Sequence, residues 1–223
     1  MIATILVTVA EAVLALLVFV GILVVVNILQ NGGKWRGQTV EQILGMPADK
    51  ATINDLKALS KAQLMQLFYA ASVPDKHILD GEIAGTALAV GVFFPFAAFF
   101  LTYIYGQGAR WVGKGFRPDS AATPPEYNLF KHKKSPSVQR KRRMSTYLAK
   151  SALDDKASLH LDYSPYNTGL VKLVRDEVRA IHSTLYIGMG CFTLPGGSLN
   201  PIPFVLHGKF RPWVGADADP AGC

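Results

Sequence analysis

Residues 2–29, IATILVTVAEAVLALLVFVGILVVVNIL, form an apolar run in which Glu11 is the sole ionisable side chain. About 20 apolar residues cross the hydrocarbon core of a bilayer, where only a helix or a closed barrel satisfies the backbone. The run therefore predicts a transmembrane helix over residues 1–30. A cleaved signal peptide is the rival interpretation, but it would need a basic segment ahead of a shorter apolar run.

Basic residues around this helix predict its orientation. No Lys or Arg precedes the run, whereas Lys34 and Arg36 follow it closely. Because Lys and Arg concentrate on the cytoplasmic side, we expect a single-pass protein with its N-terminus outside and its bulk in the cytoplasm. Cys191 and Cys223 have neither metal-ligand nor disulfide-framework spacing, which suits a reducing compartment.

A juxtamembrane segment of linker and short helices is expected over residues 31–77. Hydrophobic side chains recur at helical spacing across residues 52–71, with polar groups between them. Thr52 or Asn54 is expected to cap the first of these helices, and Ser60 the second, because their side-chain oxygens can accept from free backbone N–H groups.

Residues 78–212 have the composition of a β domain, and a small polar tail follows at 213–223. SLHLDYS, at 158–164, alternates apolar and polar residues and predicts a half-buried strand. Several such runs with Gly-rich turns predict a small antiparallel barrel. Further strands are expected at 182–192 and 203–210, with either a strand or a short helix at 171–181.

No catalytic signature is present: the sequence has no phosphate loop, no H-E-x-x-H and no nucleophile elbow. We therefore expect neither an enzyme nor a metal site. Clustered polar residues are expected on solvated strand faces, at a barrel rim or in surface ion pairs. They are His160 with Asp162, Asp80 with Glu82, and the run Arg175, Asp176, Glu177 and Arg179.

A basic segment over residues 130–144 is expected to be a loop. It is either simply solvated or it contacts an anionic membrane surface, where each cation contributes about 1 kcal/mol. Nucleic acid is not expected as a partner, because no aromatic residues interleave the run. The cations are Lys131, Lys133, Lys134, Arg140, Lys141, Arg142 and Arg143.

Two residues near the membrane helix are candidate contacts. Trp35 follows the helix at the level where aromatic rings meet lipid headgroups. Glu11 lies within the span, where a charge costs at least about 2.5 kcal/mol near the centre. Either the membrane span tolerates Glu11, or Glu11 faces a partner helix. Small residues near Glu11 would let such a helix approach closely.

A second apolar stretch, residues 85–108, has no charged side chain and is long enough to cross a membrane. A crossing would put the more basic downstream segment outside, so we expect none. The part up to Val92 is expected to finish a strand, and Phe93–Tyr105 to form an apolar helix or loop. Its aromatic residues would dip into the membrane interface or pack on a partner: Phe94, Phe96, Phe99, Phe100 and Tyr103.

Two short motifs resemble the uncharacterised bacterial lipocalin-like domains named for a G-x-W-x-G motif. In DGEIAG (80–85), Gly81 and Gly85 match the glycines, and Ile83 stands where that family has Trp. In WVGKGF (111–116), the family's W-x-G-K-x-F is matched by Trp111, Gly113, Lys114 and Phe116. Residues 160–190 resemble the family's closing strands. The resemblance implies a small calycin-type barrel able to take an apolar ligand. With the N-terminal apolar helix, we expect a bacterial inner-membrane protein.

Two roles follow from these patterns. The first is an accessory subunit of a larger membrane protein complex, with a peripheral barrel packing on that complex or on the membrane. The second is a membrane-tethered protein that binds a lipid or another hydrophobic molecule. No cofactor is predicted, although a bound lipid, pigment or quinone-like molecule is compatible with the second role. The expected partners are membrane lipids and other membrane subunits.

Overall fold

The computed structural model describes residues 2–75, 79–117, 125–194 and 196–218, with side chains from residue 7 onward. The expectation for Cys223 lies outside these residues, as does the end of the tail. The described chain contains one long N-terminal helix, a set of short helices and an eight-stranded barrel.

Helix α1 spans Ile2–Leu29. Its segment Val7–Leu29, 23 residues, is long and apolar enough to cross a membrane. Its apolar side chains are exposed, as for Leu14 at 63% and Leu17 at 63%, so the protein itself does not cover them. The chain turns at Gly32, where φ is +74° and a Cβ would lie 2.6 Å from that of Ala62.

Three short helices follow, and each begins with a capping box. The helices are α2 (Val40–Leu44), α3 (Ile53–Lys57) and α4 (Lys61–Ala70). The expected caps Thr52 and Ser60 are confirmed, because each side chain accepts from the backbone of its helix's first turn while Asp55 or Gln63 binds back. Each cap of this kind is worth about 1 kcal/mol.

Eight antiparallel strands close into one barrel in sequence order, and the last strand pairs with the first. This confirms the expected fold class. Closure leaves no free sheet edge. The strands are β1 (Gly81–Ala87), β2 (Arg110–Phe116), β3 (Glu126–Lys131), β4 (Val138–Lys150), β5 (Ala157–Asp162), β6 (Val174–His182), β7 (Leu185–Phe192) and β8 (Ile202–Arg211).

The barrel wall separates two hydrophobic cores. Because side chains alternate across a strand, Tyr186 of β7 faces the interior core while Ile187 and Met189 face outward. Outside, these residues pack with Leu64 and Phe68 of α4. The short helices therefore cover the outer wall at β6–β8, and both faces of these strands are buried.

Strand β5 is also buried on both faces, so the prediction of a half-buried strand is wrong. The strand expected at 158–164 is present as Ala157–Asp162, but Ser158, Leu159, His160 and Leu161 are all buried. His160 is not on a solvated face: its ring stacks on Tyr147 and Nε2 lies 3.1 Å from the Lys150 carbonyl oxygen.

The basic segment is not a loop through most of its length. Strands β3 and β4 include residues 126–131 and 138–150, so only a short turn separates them. The strand was not predicted because this segment does not alternate apolar and polar residues. Several of its cations bind groups elsewhere on the protein.

An apolar insertion joins β1 to β2. Strand β1 ends at Ala87, before the expected Val92. Helix α5 spans Phe94–Phe99 and continues as a π-helix over Phe100–Tyr105. This confirms an apolar helix at the expected position, and because β1 and β2 pair directly, the insertion returns to the side of the barrel from which it left.

Candidate functional site: a pocket at the barrel mouth

A pocket of about 480 Å³ lies between the insertion and the open end of the barrel. This is within the range of small-molecule sites, about 300–1,000 Å³. The insertion contributes Phe96, Ala97 and Phe100 to its wall, and the barrel contributes Trp111, Phe192 and Phe204. The lining is largely apolar and aromatic, and this composition favours hydrophobic molecules.

The glycines of the two sequence motifs shape the pocket wall. Gly85 leaves room for the Trp111 ring, which would lie 2.5 Å from a Cβ at that position. Gly113 has φ +151°, and a Cβ there would lie 2.1 Å from the Ile83 carbonyl oxygen. The strand pairing shifts between Trp111 and Gly113, as at a β-bulge. The motif residues therefore meet in one place and set the position of Trp111.

Two charged residues, Lys114 and Asp176, form the pocket floor inside the barrel. They are 1% and 6% exposed, and Lys114 Nζ lies 2.7 Å from Asp176 Oδ2. Lys114 Nζ also donates to Tyr163 Oη at 2.6 Å and to Asn128 Oδ1 at 2.9 Å. A buried cation with three acceptors is fully satisfied, so the floor is ordered without a ligand.

Aromatic rings enclose the same ammonium group. Its Nζ lies 5.2–5.4 Å from the ring centroids of Trp111, Tyr163 and Phe204. Burial lowers the pKa of Lys114, while the Asp176 carboxylate opposes that shift. Burial also raises the pKa of Tyr163 well above its usual value, so its phenol keeps its proton and donates it to Asp176 Oδ2 at 2.8 Å.

Asp176 has one oxygen that the network does not use. Oδ2 accepts from Lys114 and Tyr163, whereas Oδ1 accepts no hydrogen bond from any residue that the structure describes. Oδ1 lies 3.1 Å from the place where Gly190 would carry a Cβ, and both residues line the pocket. The absent side chain at Gly190 leaves space in front of this acceptor.

A bulge in β4 connects the floor to the insertion. The β3–β4 register shifts between Glu126 and Asn128, and Arg142 has φ +57°. Its carbonyl oxygen accepts from Asn128 Nδ2 at 3.0 Å, while its guanidinium donates to the carbonyls of Tyr105 and Ile104. Arg142 therefore caps the end of the π-helix and holds Asn128 in place below the pocket.

The end of α1 is bound at the pocket mouth. Asn27 Oδ1 accepts from the backbone N–H of Phe93 at 3.4 Å, and Asn27 Nδ2 donates to Asn200 Oδ1 at 2.6 Å. Phe93 and Asn200 both line the pocket. Gln30 Oε1 accepts from Val92 N–H at 3.0 Å, so the last turns of the helix hold the insertion.

The aromatic contact candidates divide between the pocket and the surface. Phe96 and Phe100 line the pocket. Phe99 and Tyr103 are exposed by 58% and 63% and contact each other, and Phe94 is half-buried. Phe99 and Tyr103 both lie on the element that covers the pocket, and their contact with a membrane or a partner stays a prediction.

The other predicted contact and motif residues lie apart from the pocket. Glu11 is exposed on α1, and Lys156 Nζ lies 3.3 Å above the Trp35 ring. Gly81, Ile83 and Phe116 are in the body of the barrel, with Ile83 fully buried where the resembling family has Trp.

Four of the seven basic residues bind the protein's own groups. Arg140 Nε donates to Glu82 Oε1 at 2.6 Å, and Lys141 and Arg142 donate to backbone carbonyls of the insertion. Arg143 donates to the carbonyl of Asp217 in the tail. The three others, Lys131, Lys133 and Lys134, are exposed at the β3–β4 turn. For these three, contact with an anionic membrane surface stays a prediction.

Two further expectations about polar residues are wrong. Glu82 is buried rather than at a rim, because Arg140 and Arg211 both pair with it. The run from Arg175 is not a surface ion cluster: Asp176 faces the interior, and Arg179 is fully buried against Asp154. The strand places alternate members of this run on opposite faces of the barrel wall.

Sequence reasoning missed the residues of the pocket floor other than Lys114. Asp176, Tyr163 and Asn128 come from three different strands or loops, so no local motif joins them. One signal was present: Asp176 lies between Val174 and Val178 in the period-2 pattern of β6, which places a carboxylate in an inward row. Among the described residues, no three His, Cys, Asp or Glu side chains are grouped to hold a metal ion.

Comparison with known proteins yields little. No protein-family model matches the chain, and no curated protein matches it. A search of solved structures matches a crystal structure of a protein from Thermomonospora curvata at 15% sequence identity and a TM-score of 0.48. The match covers 74% of this chain and 99% of that chain.

Proposed function

We propose that this protein is a membrane-tethered binding protein for a lipid or other hydrophobic molecule. The observation that carries the proposal is the pocket, whose aromatic walls lead to a buried polar floor. Binding sites commonly combine a mainly apolar lining with a few placed polar groups that orient the ligand.

The contact between α1 and the pocket mouth supports a membrane source for the ligand. If α1 spans the bilayer, its last turns lie near the headgroups, and Asn27 fixes the mouth beside them. The exposed Phe99 and Tyr103 then enter the same interface. A hydrophobic molecule can pass from the lipid into the pocket without crossing bulk water.

The proposal includes a cytoplasmic location for the barrel. Lys34 and Arg36 favour a cytoplasmic barrel at a bacterial inner membrane, with exposed lysines of the β3–β4 turn near anionic lipid. The meeting of Gly85, Trp111 and Gly113 is consistent with membership of the G-x-W-x-G lipocalin-like family.

Extraction of the full chain in a mild detergent tests ligand binding. We expect organic extraction and mass spectrometry to identify a hydrophobic molecule at near-equal molar amount. Ala97→Phe fills the pocket and should reduce that amount at least tenfold. Ala98→Phe is the matched control, because the neighbouring alanine does not line the pocket. Equal recovery from both variants, or an empty wild-type protein, would contradict the proposal.

The accessory-subunit role remains a second proposal, and Glu11 favours it. This carboxylate is exposed on an apolar helix, where a partner helix with a donor would lower its cost. Native mass measurement after gentle extraction would test the role. A lone monomer would count against it, and Glu11→Leu should release a partner if one is present while the barrel stays folded.

A further inference from the structure

At the pocket floor, donors are used in hydrogen bonds within the protein, whereas one acceptor is not. The donors of Lys114, Asn128 and Tyr163 are all used. The three protons of Lys114 point to Asp176, Tyr163 and Asn128, and the Asn128 amide donates to Arg142 and Tyr163. The Tyr163 proton goes to Asp176. A ligand that needs a donor, such as a carbonyl or carboxylate, therefore finds none free on these three residues.

One acceptor remains at the same place. The Asp176 side chain is 9% exposed, and its Oδ1 accepts no hydrogen bond from the described part of the chain. Gly190 provides the space in front of it. Oδ1 keeps its accessible surface at the pocket, so a ligand that brings a donor to it gains a hydrogen bond to a charged acceptor.

We infer that the pocket takes a neutral lipid with a hydroxyl headgroup, which donates a hydrogen bond to Asp176 Oδ1. The inference rests on the proposed function and specifies its ligand class. The chain of the ligand would lie along Phe100, Phe192 and Phe204 toward the mouth. A fatty-acid anion would place a second carboxylate against Asp176, and like charges at close range repel.

Three probes of one chain length separate these cases. Full-length protein, stripped of any extracted ligand, is incubated in detergent with 1-dodecanol, dodecanoate or methyl dodecanoate at pH 7.5. Occupancy is read by native mass spectrometry. We expect dodecanol to exceed each of the others at least about tenfold, because a hydrogen bond to a charged group has that effect on affinity. Methyl dodecanoate tests whether the ligand needs a hydroxyl donor, because the ester has none. Dodecanoate tests whether a negative charge on the ligand is rejected.

The outcomes distinguish the inference from the proposed function. Dodecanoate binding as well as dodecanol would overturn the hydroxyl inference, and so would equal binding of the ester; either result leaves hydrophobic ligand binding intact. No binding by any probe, together with an empty extracted protein, would reject both. If extraction gives a molecule without a hydroxyl donor, the inference fails and the proposed function stands.

Two variants test the role of Asp176. Gly190→Ala puts a methyl group about where the hydroxyl must sit, at 3.1 Å from Oδ1, and should reduce dodecanol occupancy severalfold while sparing the ester. Asp176→Asn removes the negative charge beside Lys114, so dodecanoate should bind better than to wild type. Unchanged preference in Gly190→Ala would overturn the inference even if Asp176→Asn does not fold.

Discussion

Two buried ion pairs each include a residue of strand β6, and they differ in how the oxygens of their carboxylates are used. Asp176 and Arg179 are both in β6, but they lie on opposite sides of the barrel wall. Outside, Arg179 donates to both oxygens of Asp154, at 2.7 and 2.6 Å, and to the Phe68 carbonyl. Inside, Asp176 uses one oxygen for Lys114 and presents the other toward the pocket.

The difference indicates separate roles for the two pairs. The Arg179–Asp154 pair joins α4 and the β4–β5 turn to the barrel, and its carboxylate has no oxygen left for a ligand. The Lys114–Asp176 pair holds no helix in place and lines an apolar pocket. A bidentate pair with both oxygens used fixes structure, whereas a pair with one free oxygen can recognise a molecule.

Removing Arg179 is expected to have the largest effect on stability. Arg179→Met leaves Asp154 buried without a cation, and breaking a buried pair in this way costs about 3–5 kcal/mol. Denaturant unfolding of the full chain in detergent measures the loss. Arg175→Met is the control, because its pair with Asp162 is half-exposed and at 3.3 Å, worth about 0–1 kcal/mol. Similar losses in both variants would contradict the structural role of Arg179.

Removing one partner of the Lys114 pair is also expected to destabilise the protein. Lys114→Met leaves Asp176 buried without a cation, although Tyr163 still donates to it, and should cost about 3 kcal/mol at pH 7. Denaturant unfolding of the variant and of the wild-type protein in detergent at pH 7 measures this loss.

The double variant Lys114→Met with Asp176→Leu sharpens the same test. Apolar residues often replace a buried pair without loss, but the buried Tyr163 hydroxyl loses its acceptor here, so the stability should lie between that of Lys114→Met and that of wild type. Dodecanol binding should nevertheless disappear. If the double variant is as unstable as Lys114→Met alone, the inner pair has the same structural role as the outer one.

A third buried cation is expected to make the stability of the protein depend on pH. Lys61 Nζ donates to the Asn27 carbonyl at 3.0 Å, and no carboxylate in the described ranges pairs with it. Burial lowers its pKa to about 8. The unfolded chain then holds this proton up to about pH 10.4, so the unfolding free energy should increase between pH 8 and 10.4.

Lys61→Met should reduce that pH-dependent increase, measured as the difference between the two proteins across the same range. Lys57→Met is the matched control, since Lys57 is exposed in the neighbouring helix. A rise with pH that is identical in wild type and Lys61→Met would show that the Lys61 pKa is not lowered.

Periodicity and capping residues predicted much of the architecture. The apolar run of α1, the caps at Thr52 and Ser60, most strands and the helix of the insertion are all determined locally, because each depends on residues within a few positions. The basic strand β4 was missed because its cations bind carbonyls and carboxylates that are remote in sequence, such as those of Tyr105 and Glu82.

By itself, the sequence determined that this chain has an apolar N-terminal helix and a small barrel with an apolar insertion. Only the tertiary structure decided which polar residues meet. A strand has a period of two, so its register decides whether Asp176 or its neighbours face inward. Bulges at Gly113 and Arg142 then set where Trp111 and Asn128 lie. The pocket floor draws on several strands and a loop, and closure of the barrel brings them together.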